Sequence, residues 1–208
     1  GDYNFAKGLK AILRQDPDIV MIGEIRDLET AETAAQAALT GHVLLATLHT
    51  NSSVESIPRL MNMGLEPFVT APSLDTLIAQ RLARKVCDKC GKKRPITEQE
   101  KKEFEDTFEE LKKHSPNKVP ATPTEVAEAV GCDACSQTGY LGRTVIAEIV
   151  TIDDEMKELI LQKSSVSKIL ETARKKGMLL MKEDGLIKVA KGHTTMQEIQ
   201  RVINVSTD

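Results

Sequence analysis

Phe5, Leu9, Ile12 and Leu13 recur at helical spacing, so the apolar pattern opens with a short amphipathic helix. Asp16-Pro17 ends it, because a residue before proline is pushed out of the α region. The period then changes. Ile19-Val20-Met21-Ile22 is an unbroken apolar run of strand length, the form expected of a strand buried on both faces. Residues 28–40 are alanine-rich, with Asp27 placed as N-cap, Glu29 and Glu32 near the start where the helix dipole favours acids, and Gly41 just past the end. Val43 to Thr47 predicts a second buried strand. Strand, helix and strand within about 30 residues make a βαβ unit and imply a parallel sheet.

Downstream, Ser52 or Ser53 can cap a helix over about 54–63 that ends at Gly64, and a further helix fits 70–82 after Pro67. Thr97-Glu98-Gln99-Glu100 is a capping box, and the helix it starts carries Phe104, Phe108 and Leu111 as a narrow apolar stripe. Pro116, Pro120 and Pro123 predict a stiff linker, and 144–150 a strand. From Asp154 onward every period is helical. Met156, Leu159 and Ile160 form one face, and Val166, Ile169, Leu170 and Ala173 another that stops at Gly177. A third helix covers about 178–190 before Gly192, and Thr195 to Glu198 caps a last one. No internal repeat is visible.

Composition narrows the function classes. The 208 residues are 40% hydrophobic but only 3% aromatic, without Trp, so an aliphatic core is expected. The net charge of −3 gives no global basic excess for nucleic acid. Lys101-Lys102, Lys112-Lys113 and Arg174-Lys175-Lys176 read as solvated helix faces, and Met178, Met181 and Met196 as core filling. No apolar stretch approaches the roughly 20 residues of a membrane span. Gly1-Asp2-Tyr3-Asn4 offers neither a basic nor an apolar leader region and no starting Met, so the chain reads as a piece of a longer protein.

Four cysteines occur as Cys87-x-x-Cys90 and Cys132-x-x-Cys135. Without a secretion signal the cytosol is the default compartment, where paired CxxC knuckles read as a metal site before a disulfide. Zn²⁺ takes four tetrahedral thiolates, and a CxxC turn supplies two. The 41 residues between Cys90 and Cys132 are expected to loop out, at a closure cost that grows only logarithmically. Gly91 suits a close approach of backbone N–H to sulfur. A disulfide pair and a redox CxxC are the alternatives. A catalytic zinc would need an open position, which four cysteines would fill.

Two polar groups stand at the predicted strand ends: Gly23-Glu24, and His49-Thr50-Asn51. In parallel α/β sheets ligands bind beyond the carboxyl ends of the strands. An apolar strand ending in an acid has the form of a Walker B element, whose acid serves the Mg²⁺ shell or orients an attacking water. Gly23 would keep the space beside that acid open. Taken singly, each feature has a plainer reading. Strands often end in Glu, a lone His is more often structural than catalytic, and His42 beside Gly41 suits a helix-end cation. Arg26 could belong to a solvated helix face.

The combination is more specific. Leu13 to Asp18, Gly23-Glu24-Ile25-Arg26-Asp27, Glu29-Thr30, Thr40-Gly41-His42 and Thr47-Leu48-His49-Thr50-Asn51 resemble the secretion ATPase superfamily, above all the type II secretion and type IV pilus assembly ATPases. The likeness continues through Ala79-Gln80-Arg81-Leu82, the cysteine knuckles, residues 138–144 and the tail 178–192, leaving only the insert near 96–125 unmatched. The resemblance implies an α/β fold: the C-terminal part of a RecA-like P-loop NTPase core with a parallel sheet (1–86), a tetra-cysteine zinc subdomain with a charged helical insert (87–150) and a helical C-terminal subdomain (151–208). It implies Glu24 as the Walker B glutamate and His49 as the His-box residue near the γ-phosphate. Arg26, His42, Thr47 and Arg81 become candidates for the nucleotide site or a subunit interface, and Cys87, Cys90, Cys132 and Cys135 ligands of structural Zn²⁺. It further implies ATP and Mg²⁺ in the parent protein, a homo-hexameric motor, an inner-membrane platform protein as partner, and a cytoplasmic location peripheral to the inner membrane. Retraction ATPases of the pilus system lack such knuckles, so the cysteines favour assembly or secretion. The sequence contains no G-x-x-x-x-G-K-[ST], the loop whose amides and lysine cradle phosphates, so the chain alone is expected to be inactive. A stand-alone zinc-binding interaction module is the alternative from another class.

Overall fold

Residues 5–204 are described by the structure, a computed structural model. They form two compact units: one runs through Leu77 and takes in Val150–Ala173, the other joins Ile78–Ile149 to the stretch from Arg174 onward.

In the first unit, helix α1 (Phe5–Leu13) precedes strand β1 (Ile19–Ile22), helix α2 (Leu28–Leu39) and strand β2 (Val43–Ala46). β1 and β2 pair in parallel, with Ile19 opposite Val43 and Ile22 opposite Ala46. The Asp27 side chain accepts from Thr30 N at 2.9 Å and so caps α2, and Gly41 follows the helix with φ +99°. Two expectations are corrected. The α1 face that is buried carries Ala6 and Leu9, while Phe5 and Ile12 are exposed. Nor are the strands buried on both faces. Val20 and Ile22 enter the core, but Ile19 and Met21 are 64% and 73% exposed, with Val43 and Leu45 also exposed. Alternate side chains leave opposite faces of a strand, and α1 and α2 supply a core to one face only.

Helices α3 (Ser56–Asn62) and α4 (Pro67–Ser73) follow. α3 starts two residues later than expected, and neither Ser52 nor Ser53 caps it; Glu55 stands at its N-cap position without a side-chain bond. Helix α6 (Asp154–Leu161), capped by Asp153, packs on α4 with Met156 and Ile160 fully buried. The helix expected over 70–82 is replaced by the end of α4 and the long strand β3 (Thr76–Val86). Pro67 can occupy the first turn of a helix because its missing N–H is an orphan there anyway. Beyond Ser73, burial alternates at Leu77 and Ala79, a period of two that apolar residues on the exposed face had masked.

The second unit holds most of β3, strand β4 (Lys92–Pro95), helix α5 (Glu98–His114), strand β5 (Glu125–Glu128), most of strand β6 (Tyr140–Thr151), the end of helix α7 (Val166–Lys175), and helices α8 (Met181–Ala190) and α9 (Met196–Asn204). β3 neighbours β6, and β4 pairs antiparallel with β5. The Thr97–Glu100 capping box forms as expected. The insert does not loop out. Phe104, Phe108 and Leu111 pack among Ala83, Val126, Ile146 and the apolar faces of α8 and α9. Phe104 and Phe108, with ring centroids 5.4 Å apart, head the largest buried side chains, so this core is not purely aliphatic. Arg174 is likewise no solvated cation: it is buried, bidentate to buried Glu183, and donates to Met178 O at 2.8 Å. The three methionines fill the core as expected, with Met178 and Met196 buried and Met181 partly so.

Candidate functional site

The parallel ladder carries Glu24 and His49 to one place. Past the register pair Ile22–Ala46, Ile25 N donates to Thr47 O at 3.0 Å, and Thr47 Oγ1 donates to Gly23 O. These bonds tie the two exits together just where each strand stops. His49 Nε2 then lies 2.8 Å from Glu24 Oε2, and Arg26 pairs with Oε1. The hydrogen bond from Arg26, helped by His49, holds the Glu24 carboxyl below its ordinary range against the opposing effect of burial. Arg26 and His49 themselves are open to solvent. A Cβ built on Gly23 would meet nothing within 4 Å, so the space beside the acid is open. That open space borders a carboxylate whose two oxygens each have a partner.

The other candidates separate. Thr47 secures the strand ends. His42 serves the C-terminus of α2, with Nδ1 at 3.1 Å from Ala37 O and 3.2 Å from Thr40 Oγ1. Arg81 belongs to the second unit, on β3, where Nη1 donates to Gln80 O at 3.5 Å.

Also in the second unit, the four cysteine sulfurs lie within 4.8 Å of one another. Cys87 and Cys132 are 4.0 Å apart, and Cys90–Cys135 and Cys132–Cys135 both 3.7 Å. A tetrahedral metal with bonds of about 2.3 Å separates its sulfurs by about 3.8 Å, so the spacing fits one ion held by four thiolates. All four thiols are free, at separations well beyond the roughly 2 Å of a disulfide bond. Backbone amides supply the rest of the chemistry. Gly131 N donates to Cys90 Sγ at 3.4 Å, and Cys132 N and Gly139 N each to Cys135 Sγ at 3.2 Å. Desolvation pushes the Cys90 thiol up to about 12; at Cys135 the same desolvation is outweighed by those two amides, and the thiol falls to about 6. The glycine expected to serve sulfur does not: Gly91 N donates to Cys87 O at 2.8 Å. Gly139 does, at φ +75°, where a Cβ would lie 2.7 Å from the Ala129 backbone.

Sequence reading missed a carboxylate beside this cluster. Glu198 accepts from Arg84 N, Nε and Nη2 and from Arg201 Nε and Nη2, between 2.6 and 3.0 Å, with its side chain fully buried. Its only sequence signal was a place in a helix cap. The partner Arg84 lies 114 residues away, and no local pattern records that pairing.

Among the described residues no helix is long and apolar enough to cross a membrane. Residues 1–201 match the family described as "Type II/IV secretion system protein". The chain is 46% identical over 201 residues to "Type II secretion system protein E" of Aeromonas hydrophila, covering 97% of this chain and 38% of that protein. It is 43% identical over 195 residues to "Type IV pilus assembly ATPase PilB" of Thermus thermophilus, covering 94% and 21%. In structure it is similar to the Legionella pneumophila ATPase DotB, at TM-score 0.61 and 21% identity over 97% of this chain and 42% of that one. The chain thus spans well under half the length of the relatives it matches. With the matched residues running from one end of the sequence almost to the other, this chain belongs to the type II/IV secretion system protein family.

Proposed function

We propose that this chain is the C-terminal half of a hexameric ATPase that powers type II secretion or type IV pilus assembly. The observation that carries the reading is the contact of Glu24 with His49 at the paired strand ends, beside an open Gly23. Relatives named as ATPases of both machines support it.

In this reading residues 1–86 are the later part of a RecA-like core, 87–150 a zinc-bearing region and 151–208 a helical region, a division by role. ATP with Mg²⁺ supplies the phosphoryl group to be transferred to water. Glu24 holds its carboxylate where it can order that water or accept its proton. Arg26 and His49 keep the carboxylate ionised and oriented until a ligand draws one of them away, and His49 Nε2 is then free to donate to a phosphate oxygen. Thr47 maintains the spacing of the two strand ends, and Arg81 and His42 serve the nucleotide site or a subunit interface. The residues present supply acid and imidazole but no phosphate-cradling glycine loop, so hydrolysis needs the rest of the parent protein. There the partners are five further copies and a platform protein, at the cytoplasmic face of the inner membrane. The Cys87, Cys90, Cys132 and Cys135 thiolates would hold a structural Zn²⁺.

The test is ATP hydrolysis by the full-length parent and by this chain. The parent should hydrolyse ATP, its Glu24→Gln variant should bind ATP with turnover cut at least a hundredfold, and this chain alone should be silent. Hydrolysis by the 208-residue chain, abolished by Glu24→Gln, would contradict the need for the missing half. The four-sulfur cluster supports a second reading, a zinc-binding interaction module without a motor; an inactive full-length parent would favour it.

A further inference from the structure

The segments that feed the two cysteine knuckles are tied to each other and to α9 by one polar cluster. Arg84 precedes Cys87 on β3, and Tyr140 follows Gly139, whose amide donates to Cys135 Sγ and whose carbonyl accepts from Cys87 N at 2.9 Å. The Arg84 guanidinium carbon stands 4.2 Å from the centre of the Tyr140 ring, a cation–π pair joining the end of β3 to the first residue of β6. Glu198 grips Arg84 by its backbone amide and its guanidinium together. Thr194 Oγ1 donates to Arg84 O at 2.8 Å, and Val86 N to His193 O at 3.1 Å, so the register of β3 up to Cys87 is set by the entry into α9. Tyr140 Oη closes the circuit, 2.8 Å from Thr195 Oγ1, the hydroxyl that accepts from Glu198 N.

We propose that Glu198 and Tyr140 are positioning residues for the metal: through Arg84, Thr195 and Gly139 they clamp the Cys87 and Cys135 knuckles at tetrahedral spacing and so set how long the ion is held. The proposal rests on the reading of the four cysteines as a zinc site. A sulfur cluster contributed by two knuckles far apart in sequence keeps its geometry only while both knuckles are fixed, and loosening the residues behind metal ligands typically costs tenfold to a hundredfold in affinity. The buried Arg174–Glu183 pair of the same unit provides the comparison, since among the described residues none of its hydrogen bonds reaches a knuckle.

The experiment is zinc release from the full chain into excess of a colorimetric chelator, followed at a temperature below the unfolding of every variant. Tyr140→Phe, which keeps the ring under Arg84 and loses only the hydroxyl, should release zinc several-fold faster than wild type, and Glu198→Gln roughly tenfold faster or more. Glu183→Gln should lower Tm yet release zinc at the wild-type rate. Equal acceleration by Glu183→Gln and Glu198→Gln, or wild-type rates in both clamp variants, would overturn the proposal while leaving the zinc site standing. A wild-type chain that carries no zinc after reconstitution would overturn the site and the clamp together.

Discussion

His49 Nε2 lies 2.8 Å from Glu24 Oε2, while Arg26 holds the other oxygen of the same carboxylate. The two residues are 25 positions apart and meet because a parallel ladder in register brings both strand exits to one edge. A carboxylate engaged at both oxygens is held ionised and aimed, and each oxygen keeps a second lone pair.

Arg26→Ala should therefore raise the Glu24 pKa toward the ordinary carboxylate value, since the Arg26 hydrogen bond is the main cause of its depression. A depressed carboxylate stabilises the fold at pH above its unfolded value, and that contribution fades as pH falls through the folded one. Because Arg26 is exposed, the effect on Tm should be small, and the site-specific titration is the sensitive observable. Carboxyl-carbon NMR of the wild type and of Arg26→Ala would read it directly; an unmoved Glu24 titration would remove Arg26 from the site.

Glu198 gives a larger pH effect. Desolvation alone would raise its pKa, but Arg201 and Arg84 lower it to about 2. Its contribution is complete above the ordinary carboxylate value near 4.5 and is lost as pH falls toward 2. Glu198→Gln should cost roughly 2 kcal/mol at neutral pH, because it weakens the charge-assisted hydrogen bonds that hold a buried carboxylate to two half-exposed guanidinium groups. It should also flatten the fall in stability between those pH values. Glu100, held to about 2 chiefly by Arg94, titrates in the same window, so the slope should shrink rather than vanish. Urea unfolding across pH 2–7 measures both effects.

Phe108→Ala should destabilise the second unit by about 3–5 kcal/mol, the cost of emptying a buried aromatic site. An ornamental insert would tolerate this change. The buried stripe of α5 argues that it will not, and denaturant melts of the single variant distinguish the two.

One zinc per chain should appear in a native mass spectrum of the reconstituted chain, and chelation should lower Tm. Cys90→Ser should abolish stoichiometric binding, since three thiolates leave the tetrahedron incomplete. A loss of two or four hydrogens with no metal would show disulfides instead.

Local sequence determined much of this protein. Asp27, Thr97 and Asp153 fix helix starts because a short polar side chain satisfies amides one turn away, a relation wholly contained in neighbouring residues. The CxxC pairs fixed the metal candidates, and the strand–acid and strand–His endings fixed Glu24 and His49, because period and terminus are local facts. The same reading failed at residues 74–82. There apolar residues on both faces of β3 imitate a helix, and only pairing with β6 decides the matter.

Tertiary structure alone decided where charges and apolar surfaces were spent. It buried Arg174 against Glu183, drew Glu198 to Arg84 across 114 residues, and made the α5 stripe part of a core. It also left one face of β1 and β2 exposed. Burial and ion pairing depend on which distant segments pack together. A sequence records the capacity of each residue to pack or pair, while the partner is chosen only when the chain has closed on itself.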